Sequence, residues 1–557
     1  MSNKSTAPDT DKRPVVVTLD NFGVAPYNRN KIIRNLRMIE SLGATVIRLP
    51  VGTRLKDTDI RPDHFIMAGS TLMPGSIDHG IYNAQKFFKG AGTCPQSIIF
   101  LGKFAMIKPD YFEENPIFDF HEQVAFDITW GMKSDVTGEL PSVVKASGPN
   151  ETHDLVRAIF PDQDLSEIEP QDSFGFTELD PDQPGQHIRD AMINNYILQT
   201  GCNNKCAYCS LRSLRPGEYC STCVPHERAI DDLRRFRAEH PEQKYLTLSG
   251  RNVGLYNDNG YRLHDLIPVV DEMGFEQVIL HFFAPSQLDN ELAEIIANSR
   301  SFNAIHTTTE TCSPRLAKAI GRDGQLEKID DFLGIVRSKK PDFAWSTTLL
   351  AGLPGETDGD QEITRDYVKK HHGLVYGTLS LITESVNSRR ADLPIAQMLG
   401  QLSEEEKQAH LEYYLQLQRE QMDEVILRMV KDFLDPESKT RIVNYPIVPN
   451  STPFVQHPMA NAAYVHAWLF EGEPDFVPGQ EVRLLPMERE YLPDEGNLLS
   501  ERIIACQFDS LERWFRRPES VKIIRSMTEE NQQRLIDMIK PQMRAFADSQ
   551  RAEKVKK

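Results

Sequence analysis

Residues 194–209 read Asn-Asn-Tyr-Ile-Leu-Gln-Thr-Gly-Cys-Asn-Asn-Lys-Cys-Ala-Tyr-Cys. The run at 194–199 has the length and apolar centre of a strand, and Gly201 closes it. Cys202, Cys206 and Cys209 follow at once with the spacing C-x3-C-x2-C. Three thiolates in one short loop can hold three irons of a [4Fe–4S] cube. The fourth iron then has no protein ligand nearby, in the manner of catalytic metals that keep one position open. A zinc loop or a chance cluster of cysteines stands as the alternative on spacing alone.

Working outward, further strand-like runs lie at 244–248, 277–283, 303–309, 344–350 and 373–382, with helical patterns between them. Six such units over about 200 residues predict a partial or full (β/α) barrel, whose functional groups sit on loops after the carboxyl ends of the strands. Upstream, strands at 15–19, 44–49, 64–67 and 97–101 alternate with helical stretches, which predicts a separate parallel α/β layer. The expected organisation is a disordered tail at 1–13, an α/β domain at 14–150, an acidic linker at 151–190 and a barrel domain at 191–435. A small β-rich domain at 436–500 and helices at 501–557 complete it. The linker rests on nine acidic residues and one arginine between 161 and 190. Ser403 and Glu406 form a capping box for the long helical stretch that ends the barrel domain.

The 557 residues carry 63 Lys and Arg against 81 Asp and Glu, a net charge of −18. That balance disfavours generic binding to nucleic acid or anionic membranes. No apolar run reaches membrane-spanning length, and the start of the chain lacks a signal-peptide core. A cytoplasmic protein is therefore expected. Five of the eight cysteines fall within 22 residues, which suggests metal or redox chemistry rather than a disulfide scaffold.

Two more motifs stand at strand ends. Leu248-Ser249-Gly250 is a small-residue turn that lets backbone groups approach a ligand. Gly352-Leu353-Pro354-Gly355-Glu356-Thr357 is a stiff turn into a helix. Each is also an ordinary turn when taken alone.

With Tyr208 in the aromatic slot of C-x3-C-aromatic-x-C, the cysteine motif resembles the radical S-adenosylmethionine (SAM) superfamily. The resemblance implies that SAM chelates the open iron and is cleaved to methionine and a 5′-deoxyadenosyl radical, which abstracts hydrogen from a C–H bond. It narrows to the methylthiotransferases. TLSGRNVGLY at 247–256 resembles their L-T/L-G-Q-N-V-x-x-Y, AGLPGET at 351–357 their VGFPGET, and HTTTETCSPRLAKAIGR at 306–322 their HLPVQSG segment. A weaker likeness covers the first domain. By this resemblance Leu248, Ser249 and Gly250 contact the methionine part of SAM, while Gly352, Pro354 and Gly355 lie near the adenosine. Glu310 stands where the family has Gln and is the candidate catalytic residue, a proton-transfer group in contact with SAM or substrate, ahead of His226 and Glu227.

The chain also departs from that family. The three first-domain cysteines that hold an auxiliary cluster are missing; Val24, Ser70-Thr71 and Lys103 stand near their places, and Cys94 is off the pattern. A new pair, Cys220 and Cys223, follows the main motif. A C-x2-C pair can be half of a second Fe–S or zinc site, completed by Cys94 or Cys312, or a redox pair or plain structure. His226 and Glu227 read as a helix start, and His281, Phe282 and Phe283 as core. Residues 441–500 carry three arginines against eight acids, unlike an RNA clamp.

The leading reading is a radical SAM enzyme that functionalises a C–H bond of a peptide or small metabolite. It would need a [4Fe–4S] cluster, SAM and an electron donor such as flavodoxin or ferredoxin. The alternatives are a methylthiotransferase of tRNA or protein with a rebuilt auxiliary cluster, a non-catalytic Fe–S protein, and a zinc-binding interaction protein.

Overall fold

The computed structural model describes residues 13–19, 26–69, 74–91, 94–102, 105, 121–126, 141–147, 150–177, 194–204, 206–209, 221–241, 243, 245–380 and 402–434, and six strands between 440 and 507. The chain divides into two compact units. One takes Met1–Asp180, Thr200–Ser221 and Ile382–Gln397; the other takes Pro181–Gln199, Thr222–Leu381 and Met398–Lys557.

The first unit contains β1 (Val15–Leu19), α1 (Pro26–Ser41), β2 (Thr45–Leu49), β3 (His64–Gly69), α2 (Pro74–Phe88), β4 (Ser97–Gly102), β5 (Ser142–Ala146), α3 (Glu151–Ile159) and the short β6 (Gly175–Phe176). Its sheet has the order β2-β1-β3-β4-β5, with every neighbour parallel. Both faces are buried, which is why these strands are near-continuous apolar runs rather than alternating ones. Val17, Phe65, Ile98 and Phe100 pack with Phe87 and Phe88 on one face. Val16, Ile66, Ile99 and Leu101 pack with Ile32, Leu36, Leu155 and Val156 on the other.

The expected linker begins too early. Residues 151–177 belong to the first folded unit, because α3 carries an apolar stripe of Leu155, Val156 and Ile159 that completes one core. Two acids of the expected linker segment, Glu151 and Asp172, find partners on α1. Glu151 is buried, accepts from the Asn35 side-chain amide at 2.9 Å and lies 3.5 Å from the Lys31 ammonium. Arg34 pairs with Asp172 at 2.9 Å and also donates to the Phe174 carbonyl.

The second unit contains β7 (Asn195–Thr200), β8 (Thr222–Cys223), α4 (His226–Glu239), β9 (Tyr245–Gly250), the small pair β10 (Asn257–Asp258) and β11 (Tyr261–Arg262), and α5 (Leu263–Glu272). Then come β12 (Gln277–Phe283), α6 (Asn290–Asn298), β13 (Phe302–Glu310), α7 (Pro314–Ala319), α8 (Gln325–Lys339), β14 (Ala344–Ala351), α9 (Asp358–Lys370), β15 (Leu374–Ser380) and α10 (Glu404–Leu434). Six strands run parallel in the order β7-β9-β12-β13-β14-β15. The fold is α/β, as the alternation predicts. Among the described strands the six form an open arc, and β15 is paired on its outer side by an antiparallel strand at Leu498 and Leu499. Ser403 caps α10 as expected: its backbone N–H donates to Glu406 at 2.7 Å and its hydroxyl accepts from the Glu406 N–H at 3.2 Å.

The β-rich segment consists of β16 (Thr440–Val443), β17 (Phe454–Val455), β18 (Tyr464–Trp468), β19 (Glu481–Val482), β20 (Leu484–Pro493) and β21 (Leu498–Gln507). Here the expected boundary at 500 is wrong. Residues 501–507 continue β21, paired antiparallel to β20 and parallel to β18. Ladder partners on both sides outweigh the local helical pattern of this stretch. The helices expected beyond it lie outside the described residues.

Candidate active site

The cysteine loop leaves β7 through Gly201, whose φ of +78° is the left-handed conformation that favours glycine. Cys206 is buried, while Cys202, Tyr208 and Cys209 are half-buried. The Cys209 N–H donates to the Cys206 carbonyl at 3.2 Å, closing a tight turn. Asn203 accepts from the Ser221 N–H at 3.2 Å, a bond between residues 18 apart in the chain. All three cysteines are unbridged thiols, so the donor set fits an Fe–S cluster with three protein ligands. Among the described residues, no three His, Cys, Asp or Glu side chains are gathered at metal-holding distance.

At the end of β9, Leu248 and Ser249 are fully buried. Gly250 is required by a close approach: a β-carbon there would stand 2.8 Å from the Gln199 carbonyl oxygen. The Gln199 side chain in turn accepts from the Asn252 N–H at 2.9 Å, and Asn252 accepts from the Ala284 N–H at 3.1 Å. These bonds link the ends of β7, β9 and β12. The Ser249 hydroxyl and the Asn252 amide nitrogen are buried and make no hydrogen bond among the described residues. Buried polar groups in that state call for a partner. They fit the amino-acid part of SAM, which the resemblance expects at this strand end.

Between these ends the sheet is polar on one face. The His281 and His306 rings stack with centroids 4.4 Å apart. His306 is 3.1 Å from the Ser346 hydroxyl through Nδ1 and 3.1 Å from the Thr348 hydroxyl through Nε2. Burial pushes His306 down to about 3. Burial and the neighbouring His306 push His281 well down too. Both rings are neutral at pH 7.

Glu310 ends β13 with a φ of +68°, in a region that costs a non-glycine residue energy. It is buried and lies 3.3 Å from the Arg322 guanidinium. Arg322 also donates to the Thr308 carbonyl, and the Gln325 amide donates to the carbonyls of Thr309 and Thr311. The Glu310 carboxylate is thus held in place by a clamped backbone and a cation.

The loop after β14 turns at Gly352 and Gly355, with φ of +77° and +73°. Pro354 between them is buried. Glu356 is the buried anchor of the loop. It accepts from the Gly352 N–H at 2.8 Å, lies 3.0 Å from His410 Nδ1, and accepts from the Tyr414 hydroxyl at 2.7 Å. That hydrogen bond raises the His410 pKa above its ordinary value. His410 and Tyr414 carry no sequence signal, since they stand on α10, more than fifty residues from their partner.

The remaining candidates fall elsewhere. Cys220 lies outside the described residues. Cys223 is half-buried; its thiol donates to the Leu255 carbonyl at 3.7 Å and accepts from the Asn257 N–H at 3.3 Å, and burial raises its pKa. Cys312, named as a ligand to complete a second site, is fully buried, and burial pushes its thiol far up. Cys94 is half-buried against the core of the first unit. His226 and the exposed Glu227 open α4, as expected, and the His226 ring stacks on Tyr261 at 4.6 Å. His281 and Phe283 are buried, but Phe282 departs from a core reading: it is half-buried with a φ of +61°.

The profile of the Radical SAM superfamily matches residues 196–368, the segment from β7 to α9. Among curated proteins, the chain is 28% identical over 226 residues to the tRNA-2-methylthio-N(6)-dimethylallyladenosine synthase of Desulforamulus reducens, covering 40% of this chain and 47% of that one. It is 27% identical over 231 residues to the ribosomal protein uS12 methylthiotransferase RimO of Acetivibrio thermocellus, covering 40% and 48%. It is 28% identical over 257 residues to the threonylcarbamoyladenosine tRNA methylthiotransferase MtaB of Thermotoga maritima, covering 44% and 54%. The chain spans about half the length of the curated relatives it matches. Residues 196–368 are a radical SAM domain, in a chain similar to methylthiotransferases.

Proposed function

We propose that this chain is a radical SAM enzyme that functionalises a C–H bond of its substrate, with Cys202, Cys206 and Cys209 as cluster ligands. One observation carries the reading. The three cysteines, Leu248-Ser249-Gly250, Glu310 and Gly352–Gly355 follow the carboxyl ends of β7, β9, β13 and β14 in one parallel sheet. That is where parallel α/β folds assemble chemistry from separate loops. When bound and reduced, a [4Fe–4S] cluster supplies the electron that cleaves SAM, and a flavodoxin or ferredoxin is a suitable donor.

The chain's own residues do the rest. The Ser249 hydroxyl and the Asn252 amide bind the polar amino-acid end of SAM. The Gly352–Gly355 turn, anchored by Glu356, presents backbone and Pro354 to the adenosine. Glu310, already paired with Arg322, accepts a hydrogen bond from SAM or substrate without carrying an uncompensated buried charge. Cys223 needs no second metal in this reading, because its thiol is already hydrogen-bonded.

Methylthio transfer is the second reading, favoured by the names of the relatives, and the substrate is then a tRNA or a protein. Without the family's auxiliary cysteines it needs another sulfur source. A peptide or small metabolite is the substrate favoured by the acidic composition. The test is the mass of products formed by anaerobically reconstituted, reduced protein with SAM and candidate substrates. Formation of 5′-deoxyadenosine is expected; its complete absence from well-loaded protein would refute the proposal. A product heavier by a methylthio group selects the second reading.

A further inference from the structure

The loop that leaves β13 and the turn that leaves β14 are fastened together by one carboxylate and one guanidinium. Asp360, in the first turn of α9, is buried. One of its oxygens accepts from the Thr357 N–H at 2.9 Å and the Thr357 hydroxyl at 2.7 Å. Those bonds belong to a capping box and are local to α9. The other oxygen accepts from the Ser313 hydroxyl at 2.6 Å, across 47 residues of sequence. Ser313 is itself the N-cap of α7, in the loop that Glu310 opens. The rest of that loop is braced as well. The Gln325 amide donates to the carbonyls of Thr309 and Thr311, and the Cys312 N–H donates to the Thr364 hydroxyl at 3.2 Å.

Arg315 makes the second link. Its guanidinium pairs with Asp360 and donates to the Gly355 carbonyl at 2.8 Å. The Gly352–Gly355 turn is therefore held at both ends. Glu356 takes the Gly352 N–H, and Arg315 takes the Gly355 carbonyl. A glycine backbone has many conformations open to it, so a bond from outside is what selects one. The Arg315 side chain is nevertheless 47% exposed. Ion pairs that exposed contribute little to stability. What the guanidinium does contribute is geometry: one group spans the backbone of the turn and the carboxylate that holds the neighbouring loop.

We propose that Arg315 is a positioning residue that sets the Gly355 turn for the adenosine of SAM and ties it to the loop that begins at Glu310. This rests on the radical SAM reading above. The two loops take up ligand as one unit, because Asp360 and Arg315 leave neither free to shift without the other. Arg315 acts through the Gly355 carbonyl and the Asp360 carboxylate, and it touches no reacting atom.

The test uses full-length protein, reconstituted anaerobically and left unreduced. SAM affinity is measured by calorimetry and the thermal midpoint by circular dichroism. Hydrogen exchange is followed by mass spectrometry in the absence of SAM. Arg315→Met keeps the aliphatic stem and removes the guanidinium. It weakens SAM binding about tenfold and moves the thermal midpoint little. It also speeds exchange in both 309–315 and 352–357, while 248–252 exchanges as in the parent. Arg315→Lys, which keeps a charged donor, recovers part of the lost affinity. Because the site opens to solvent, added methylguanidinium recovers part of it in Arg315→Ala. The proposal is overturned if Arg315→Met binds SAM as tightly as the parent, or if exchange rises in only one of the two loops. It is also overturned if affinity falls only in step with the thermal midpoint and neither Lys nor methylguanidinium recovers it, which is the mark of a merely structural role. A parent that binds no SAM defeats the radical SAM reading and the adenosine assignment with it; the exchange pattern, which needs no ligand, then decides by itself whether Arg315 ties the loops.

Discussion

Tyr414 donates a hydrogen bond to the Glu356 carboxylate at 2.7 Å, across 58 residues of sequence. It joins the glycine-rich turn after β14 to the long helix α10. The turn is thus held from outside, which keeps its two left-handed glycines in place.

Tyr414→Phe removes one donor from a buried carboxylate. The expected loss of stability is about 1.5–3 kcal/mol, the usual range for a hydrogen bond to a charged group. Urea unfolding measures it, and SAM affinity should fall alongside. A variant as stable as the parent, with unchanged SAM affinity, would show that the anchor is dispensable.

His410 gives stability a pH dependence of definite sign. Its folded pKa is raised above 6.5 by Glu356, so the protonated ring is favoured in the folded state. Its contribution is complete below 6.5 and is lost as pH rises through the folded value. His410→Gln should flatten that alkaline loss in urea midpoints. A profile identical in parent and variant counts against the pair.

The stacked histidines act in the opposite direction. His306, held down to about 3 by burial, stays neutral in the folded chain while the unfolded chain takes up a proton near 6.5. Stability therefore declines as pH falls below about 6.5 and continues to decline towards 3, with His281 adding to the slope. His306→Asn, which keeps a polar atom near the Nδ1 position beside the Ser346 hydroxyl, should make the acid slope shallower even if its overall stability is lower.

Gly250→Ala places a methyl group 2.8 Å from the Gln199 carbonyl. Backbone must shift to accommodate it, at about 1–3 kcal/mol. SAM binding should weaken as well, since β7 and β9 separate at their ligand-facing ends. Calorimetric SAM titration and thermal unfolding read the two effects separately, and a silent variant would contradict the close approach.

Replacing Cys202, Cys206 and Cys209 together by Ala should abolish bound iron, the visible charge-transfer absorption and 5′-deoxyadenosine formation. The far-ultraviolet circular dichroism should stay close to that of the parent. Continued SAM cleavage by this variant would remove the three cysteines from the chemistry.

The parallel α/β character and ten of the fifteen described strands from 15 to 380 were legible in the chain itself; β5 and the two-residue strands β6, β8, β10 and β11 were not. Strands such as Val15–Leu19 and Gln277–Phe283 are apolar runs bounded by turn residues, a local signal that survives without knowledge of neighbours. The three clustered cysteines were legible for the same reason: their meaning lies in spacing along a few residues. Tertiary structure alone decided where the acidic stretch ends and folded chain begins, because Glu151 and Asp172 are solvated linker acids until Lys31 and Arg34 stand beside them. It alone continued β21 through 501–507, since ladder partners on β18 and β20 come from distant sequence. It alone placed His410 and Tyr414 on Glu356. Hydrogen bonds, ion pairs and bulges depend on which groups meet in space. A one-residue slip between two strands reverses the face a side chain takes, and no local pattern records it.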